Sequence, residues 1–191
     1  MTSAQVLVSG LGDAFVSSVL ALTLAAWLWN RVGALMALVF AVCFCGVGGC
    51  AFGLKLIARD LCPPLTDAGA FDFSQGAPSG HAAIAGVLFG CAAMVFLRPD
   101  PRLKRGRLGA GLCFLALAGV AVTRVTLHTH TIADVAAGLC LAAAGVVLFE
   151  RALKVQMEGR RIPGGGLLLA IVLVAVLALA SGVRLSSAEF L

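Results

Sequence analysis

From Val32 to Leu54, and again from Leu167 to Val183, the chain carries no Asp, Glu, Lys, Arg or His, and Ser79 to Leu97 holds only His81. About 20 consecutive apolar residues are what a helix needs to cross the hydrocarbon core of a bilayer. Backbone N–H and C=O groups find no water there, so such runs must close their hydrogen bonds internally, as helices. The rest of the composition agrees: 61% of residues are hydrophobic, 12% are charged and the mean hydropathy is +1.05. A soluble domain would carry about a quarter charged residues. An ordinary soluble domain, a disordered chain and a nucleic-acid binder are all excluded. The fold class expected is all-α: a polytopic membrane bundle, one integral membrane domain over residues 1–191.

Gaps between charges give six expected spans: Ala14–Trp29, Val32–Leu54, Ser79–Leu97, Leu108–Leu127, Ile132–Phe149 and Leu167–Val183. Asp13 is expected at the membrane surface. No basic residue precedes the first apolar run, so no secretory signal is expected. Six spans place Arg31, Arg98, Arg102, Lys104, Arg105, Arg107, Arg151, Lys154, Arg160 and Arg161 on one side. Lys55, Arg59, Arg124 and Arg184 fall on the other. Short loops rich in Lys and Arg stay cytoplasmic. Both termini, and the ends of the spans that carry all three histidines, are then expected to face outward. A bacterial cytoplasmic membrane, with the site facing the periplasm or exterior, is the expected location.

Of the seven cysteines, six (Cys43, Cys45, Cys50, Cys91, Cys113, Cys140) lie in apolar runs, where cysteine behaves as a small hydrophobe. Neither disulfides nor a cysteine-ligated metal is expected. Gly49 and Gly53 form a small-xxx-small pair of the kind that lets helices approach closely.

Three stretches carry the outward polar residues. Lys55 and Arg59 end the second span and share a helix face at i, i+4. Pro78-Ser79-Gly80-His81 opens the third, where unpaired N–H groups and the helix dipole make an anion site. Thr123-Arg124 closes the fourth, followed by His128, His130 and Asp134, the last two again i, i+4. Ionisable residues at a membrane default to a functional reading. Two histidines, a His–Asp pair, several cations and a helix N-terminus suit phosphoryl transfer, which needs positive charge around the equatorial oxygens, an in-line nucleophile and an acid for the leaving oxygen. Histidine serves as nucleophile or as acid near neutral pH.

In these residues the chain resembles the type 2 phosphatidic acid phosphatase superfamily of membrane lipid phosphatases. Its signature is Lys-x6-Arg-Pro, then Pro-Ser-Gly-His, then Ser-Arg-x5-His-x3-Asp. Pro78-Ser79-Gly80-His81 matches outright, and Thr123-Arg124-x5-His130-x3-Asp134 matches with Thr for Ser. The resemblance covers about Lys55 to Asp134, within a phosphatase core of about 32–149. It implies that His130 is the nucleophile, oriented by Asp134. His81 would protonate the leaving oxygen and later activate water. Lys55, Ser79, Gly80 and Arg124 would hold the phosphate. The first motif departs: Cys62 stands where the family has arginine, with Lys55 and Pro63 in place. Cysteine cannot replace a bidentate guanidinium, and Arg59, one turn from Lys55, is expected to compensate in part.

The function implied is hydrolysis of a lipid phosphomonoester or diphosphate, such as phosphatidic acid, phosphatidylglycerol phosphate, a polyprenyl diphosphate or a lipid A phosphate, through a phosphohistidine. The partners are the lipid phosphate substrate and membrane lipids; no cofactor, metal or nucleic acid is expected, and the oligomeric state is open. Transfer of the phosphoryl group to an alcohol and a non-catalytic lipid-binding role are the alternatives. A metal hydrolase would instead use His81, His128, His130 and Asp134 as ligands. His128, at a free motif position, is expected to be a polar loop residue.

Overall fold

The computed structural model describes residues 10–11, 13–61, 77–98, 104–157 and 165–181, with the side chains of residues 58–61, 104–105 and 165 outside that description. Among the described residues the protein is an all-α bundle of six helices: α1 (Ala14–Arg31), α2 (Ala34–Leu61), α3 (Gly80–Leu97), α4 (Lys104–Thr126), α5 (Ile132–Gln156) and α6 (Gly165–Ala180). Stretches within α2, α3, α4 and α5 are long and apolar enough to cross a membrane, and α6 is a shorter apolar helix.

Helix ends follow local chemistry. Asp13 caps α1, its Oδ1 accepting the Phe15 N–H at 2.9 Å. Gly33, at φ 137°, turns the chain from α1 into α2 in a conformation that side-chain-bearing residues rarely adopt. Helix α2 runs through Leu61, beyond the expected end at Leu54, so Lys55 belongs to the helix and is half-buried. Helix α5 likewise passes Phe149 to Gln156, where Lys154 and Glu150 pair at 2.7 Å across one turn. Such i, i+4 pairs extend a helix once it leaves the apolar region.

Helix α3 lies at the centre, packed against α1, α2, α4 and α5. It is 72% buried, more than twice the share of any other candidate span, which is the behaviour expected of a helix apolar on every side. The surrounding helices turn Leu22, Leu115, Ile132 and Val155 outward, and α6 does the same with Leu169. So much exposed apolar surface marks a lipid-facing exterior. The core is filled by Leu20, Leu24, Leu28, Phe40, Val87, Val120, Phe149 and Leu153, with Phe40 and Phe149 edge-to-face at 6.1 Å. The six cysteines among the described residues are free.

The close approaches run along a seam between α3 and α5. A Cβ on Gly86 would stand 2.5 Å from Cβ of Ala142, and one on Gly90 would stand 2.5 Å from Cγ2 of Val146. Both contacts step by four residues in the same direction, so α3 and α5 lie parallel and in register. Gly145 lies where α5 meets both α2 and α3: a Cβ there would stand 2.8 Å from Cγ2 of Val47 and 3.2 Å from Cγ2 of Val87. The expected packing glycines, Gly49 and Gly53, instead have nothing within 4 Å of a built Cβ among the described residues. Close packing needs a small residue on a face that meets another helix, and spacing alone does not say which face that is.

Because consecutive helices alternate in direction, the starts of α1, α3 and α5 share one end of the bundle with the ends of α2, α4 and α6. Gly10 against Leu179 ties the first and last of these together.

Candidate active site

That end of the bundle is organised by backbone hydrogen bonds. Ser79, fully buried, is the N-cap of α3: its Oγ accepts the Ala82 N–H at 3.4 Å and its carbonyl the Ala83 N–H at 3.0 Å. Its own N–H donates to the carbonyl of Asp134 in the first turn of α5, at 3.0 Å. Gly138 makes this approach possible, since a Cβ there would sit 2.5 Å from the Ser79 carbonyl oxygen. The start of α3, with Gly80 and His81, is thereby fixed against the start of α5. Among the described residues, a Cβ on Gly80 would meet nothing within 4 Å. His81 is partly exposed.

The turn between α4 and α5 is a Schellman motif. The His128 N–H donates to the Val125 carbonyl at 3.0 Å and the Thr129 N–H to the Arg124 carbonyl at 3.2 Å, with His128 left-handed at φ 53°. Glycine is the usual residue at that position. The Arg124 carbonyl also accepts the His130 N–H at 3.3 Å and the Thr129 hydroxyl at 3.0 Å. Immediately afterwards Thr131 and Asp134 form a capping box: Asp134 Oδ2 accepts the Thr131 N–H at 2.9 Å, and Thr131 Oγ1 accepts the Asp134 N–H at 3.2 Å. His130 is thus held between two helix termini.

The side chain of His130 is 9% exposed, and its Nδ1 lies 3.8 Å from Asp134 Oδ2. That is ion-pair reach but longer than a hydrogen bond. Nδ1 is buried and has no hydrogen-bond partner among the described residues. The oxygen nearest the ring already serves the capping box, so Asp134 both starts α5 and faces the imidazole. Catalytic hydrogen bonds commonly lengthen in unliganded sites and tighten around the reacting group.

Charges of both signs surround these histidines. Lys55 from α2 acts electrostatically on His130 and Asp134, and Arg124, buried at the end of α4, acts on His130 and His81. Burial pulls the His130 imidazole below its ordinary value near 6.5, Lys55 and Arg124 pull the same way, and Asp134 opposes them. The ring is therefore neutral at pH 7, with a lone pair available.

Lys55, Ser79, Gly80, His81, Arg124, His130 and Asp134 thus share one end of the bundle. The Arg59 side chain and Cys62 lie outside the described residues. Among the described residues, no three His, Cys, Asp or Glu side chains stand close enough to hold a metal ion. His128 serves the turn through its backbone. Sequence reasoning missed Asp13, which is 8% exposed, caps α1 and lies within Coulombic reach of Arg124 and His81. It also missed the capping box, although Thr131-x-x-Asp134 before an apolar run is a legible signal.

Residues 31–158 match the PAP2 superfamily. The match spans most of the chain, and the protein belongs to this superfamily, whose members are generally phosphatases. No curated protein and no solved structure matches the chain.

Proposed function

We propose that the protein is a lipid phosphatase that hydrolyses a phosphomonoester or diphosphate of a membrane lipid through a phosphohistidine. The observation that carries this reading is the Ser79-to-Asp134 backbone hydrogen bond. It couples the helix N-terminus bearing His81 to the turn bearing His130 in a chain of phosphatase ancestry.

In the first step the phosphate rests beside Gly80, against the α3 N–H groups, Ser79, Lys55 and Arg124. Asp134 faces Nδ1 of His130 and leaves Nε2 to attack phosphorus in line with the ester oxygen. The N–P bond forms as the P–O bond to the lipid breaks, and His81 gives its proton to the departing oxygen. In the second step neutral His81 takes a proton from water. The water oxygen attacks phosphorus, the N–P bond breaks, and inorganic phosphate leaves with both histidines restored. The cations and helix dipole offset charge on the transferring group throughout.

The basic residues Arg31, Arg98, Arg107, Arg151 and Lys154 lie toward the opposite end, which supports a site on the outer face of a cytoplasmic membrane. Headgroups in the outer leaflet would then enter directly.

The test is phosphate release by purified protein in detergent micelles across a panel of lipid phosphates, with EDTA present and His130→Ala alongside. Release by the parent and none by the variant is expected. Equal release by both would remove His130 from the reaction.

A further inference from the structure

A groove lies at the far end of the bundle from His130, where α2 begins and α5 ends. Leu35, Met36 and Val39 of α2 and Ala152 and Val155 of α5 line it with apolar surface, and Arg151 and Gln156 bring polar groups. Met36 is 1% exposed whereas Leu35 and Val155 are 58% and 78% exposed, so the groove runs from the packed core to the outer surface. Its volume of about 320 Å³ falls within the range of ligand pockets, which starts at about 300 Å³. Trp29 marks its depth: the ring is 64% exposed near the end of α1, and Gly33 then turns the chain into α2 just ahead of Leu35. Exposed tryptophan gathers at the headgroup level of a bilayer. The groove therefore opens where headgroups meet acyl chains.

The charge around it is basic. Arg31, Arg98, Arg107, Arg151 and Lys154 stand at this end, and Glu150, the one acid there among the described residues, is taken up by Lys154 at 2.7 Å. Arg151 makes no salt bridge among the described residues. The positive end of the α2 dipole and the negative end of the α5 dipole meet here and offset each other, so side chains decide what the groove attracts. An apolar trough with a guanidinium beside it fits a molecule with an apolar chain and an anionic head, and arginine takes phosphate through two parallel N–H donors. We propose that the groove binds an anionic phospholipid of the leaflet opposite the candidate active site, with one acyl chain over Met36, Val39 and Ala152 and the phosphate held by Arg151 and the Gln156 amide. Such a lipid joins the start of α2 to the end of α5 and binds only the folded bundle, so it stabilises the fold. The site is independent of the proposed reaction, which takes place at the other end.

The test titrates delipidated full-length protein in a neutral maltoside detergent with phosphatidylglycerol or phosphatidylcholine and follows thermal unfolding. Phosphatidylglycerol carries a net negative charge and, as a phosphodiester, is not a substrate of the proposed chemistry. It should raise the parent unfolding temperature by about 3 °C or more, and phosphatidylcholine by about 1 °C or less. Arg151→Gln, at an exposed position, should unfold at the parent temperature without lipid. It should need about tenfold more phosphatidylglycerol for the same shift. Arg107→Gln removes an equal charge at the same end but outside the groove, and should respond like the parent. Equal shifts with the two lipids, or an equal loss of response in the two variants, would reduce the effect to net charge and overturn the proposal. A full response in Arg151→Gln would overturn it too, by placing the lipid elsewhere, the candidate active site included. So would unfolding that depends on protein concentration and not on lipid, which would give the groove to a second copy of the chain.

Discussion

The backbone N–H of His130 donates to the carbonyl of Arg124 at 3.3 Å, joining two residues six apart in sequence across the end of α4. The same carbonyl takes the N–H and hydroxyl of Thr129. A side chain aimed at a reacting phosphorus must be held within a fraction of an ångström. Here the holding is done largely by main chain, and the five residues between Arg124 and His130 are the length of turn this arrangement requires. The spacing of the motif is thus explained by helix-capping geometry.

His128 bears the conformational cost of that turn. At φ 53° a β-carbon is disfavoured by about 1–2 kcal/mol, and glycine is free of that penalty. His128→Gly should therefore fold at least as stably as the parent and retain activity. A β-branched residue fits this region worst, so His128→Val should lose about 1–2 kcal/mol of stability and much of the phosphate release. Thermal unfolding in micelles, run beside the activity assay, checks both. Activity lost equally in the Gly and Val variants would mean that the imidazole of His128 matters for itself.

Two glycines near the site should respond in opposite ways. Gly138→Ala forces a methyl to within 2.5 Å of the Ser79 carbonyl, a backbone atom that cannot swing aside. Overpacking of this kind costs about 1–3 kcal/mol. It should also part the start of α3 from α5 and lower kcat at least tenfold, by the usual sensitivity of rate to misplacement. Gly80→Ala meets nothing within 4 Å among the described residues, so stability should stay within about 0.5 kcal/mol of the parent. Any loss of activity there should fall on KM, because the methyl occupies space proposed for the phosphate. Unfolding temperatures and full kinetics of the two variants separate these effects.

The acid side of the pH–rate profile should reflect His130. Its nucleophilic form is neutral, and burial with Lys55 and Arg124 holds the group below 6.5. Protonation sets in only below that value, so kcat/KM should stay flat down through pH 6.5 and decline at lower pH. Lys55→Met removes a charge that opposes the proton and should move this decline to higher pH. Asp134→Asn removes a charge that favours it and should move the decline to lower pH. Stability carries the same sign: the unfolded chain binds the His130 proton more readily, so this group's contribution weakens as pH falls through 6.5 and levels off below the folded value. Profiles of kcat/KM between pH 4.5 and 8 (about two units either side of histidine's usual value) test the directions.

Much of the architecture was legible because it depends on local chemistry. In hydrocarbon the backbone must satisfy itself, so Ser79–Leu97 and Ile132–Phe149 could only be helices, and α3 and α5 begin within a residue of the expected positions. The count of spans put His81, Arg124, His130 and Asp134 at one end of the bundle, since each crossing reverses the side. The Thr131 capping box was equally readable, being a contact between residues three apart.

What the tertiary structure decided depends on which helix faces touch. The parallel seam that joins Ser79 to Asp134 uses Gly86, Gly90 and Gly138, while Gly49 and Gly53, with the same spacing, meet no close neighbour among the described residues. Asp13 caps α1 and is buried by the packing of the bundle, which its own stretch of sequence does not show. His128, expected as a polar loop residue, is the left-handed corner of a helix end, a role set by its backbone. Periodicity and charge fix where a helix begins, ends and points. Contacts between residues more than fifty apart are fixed only by the close packing of particular small side chains, which no local pattern encodes.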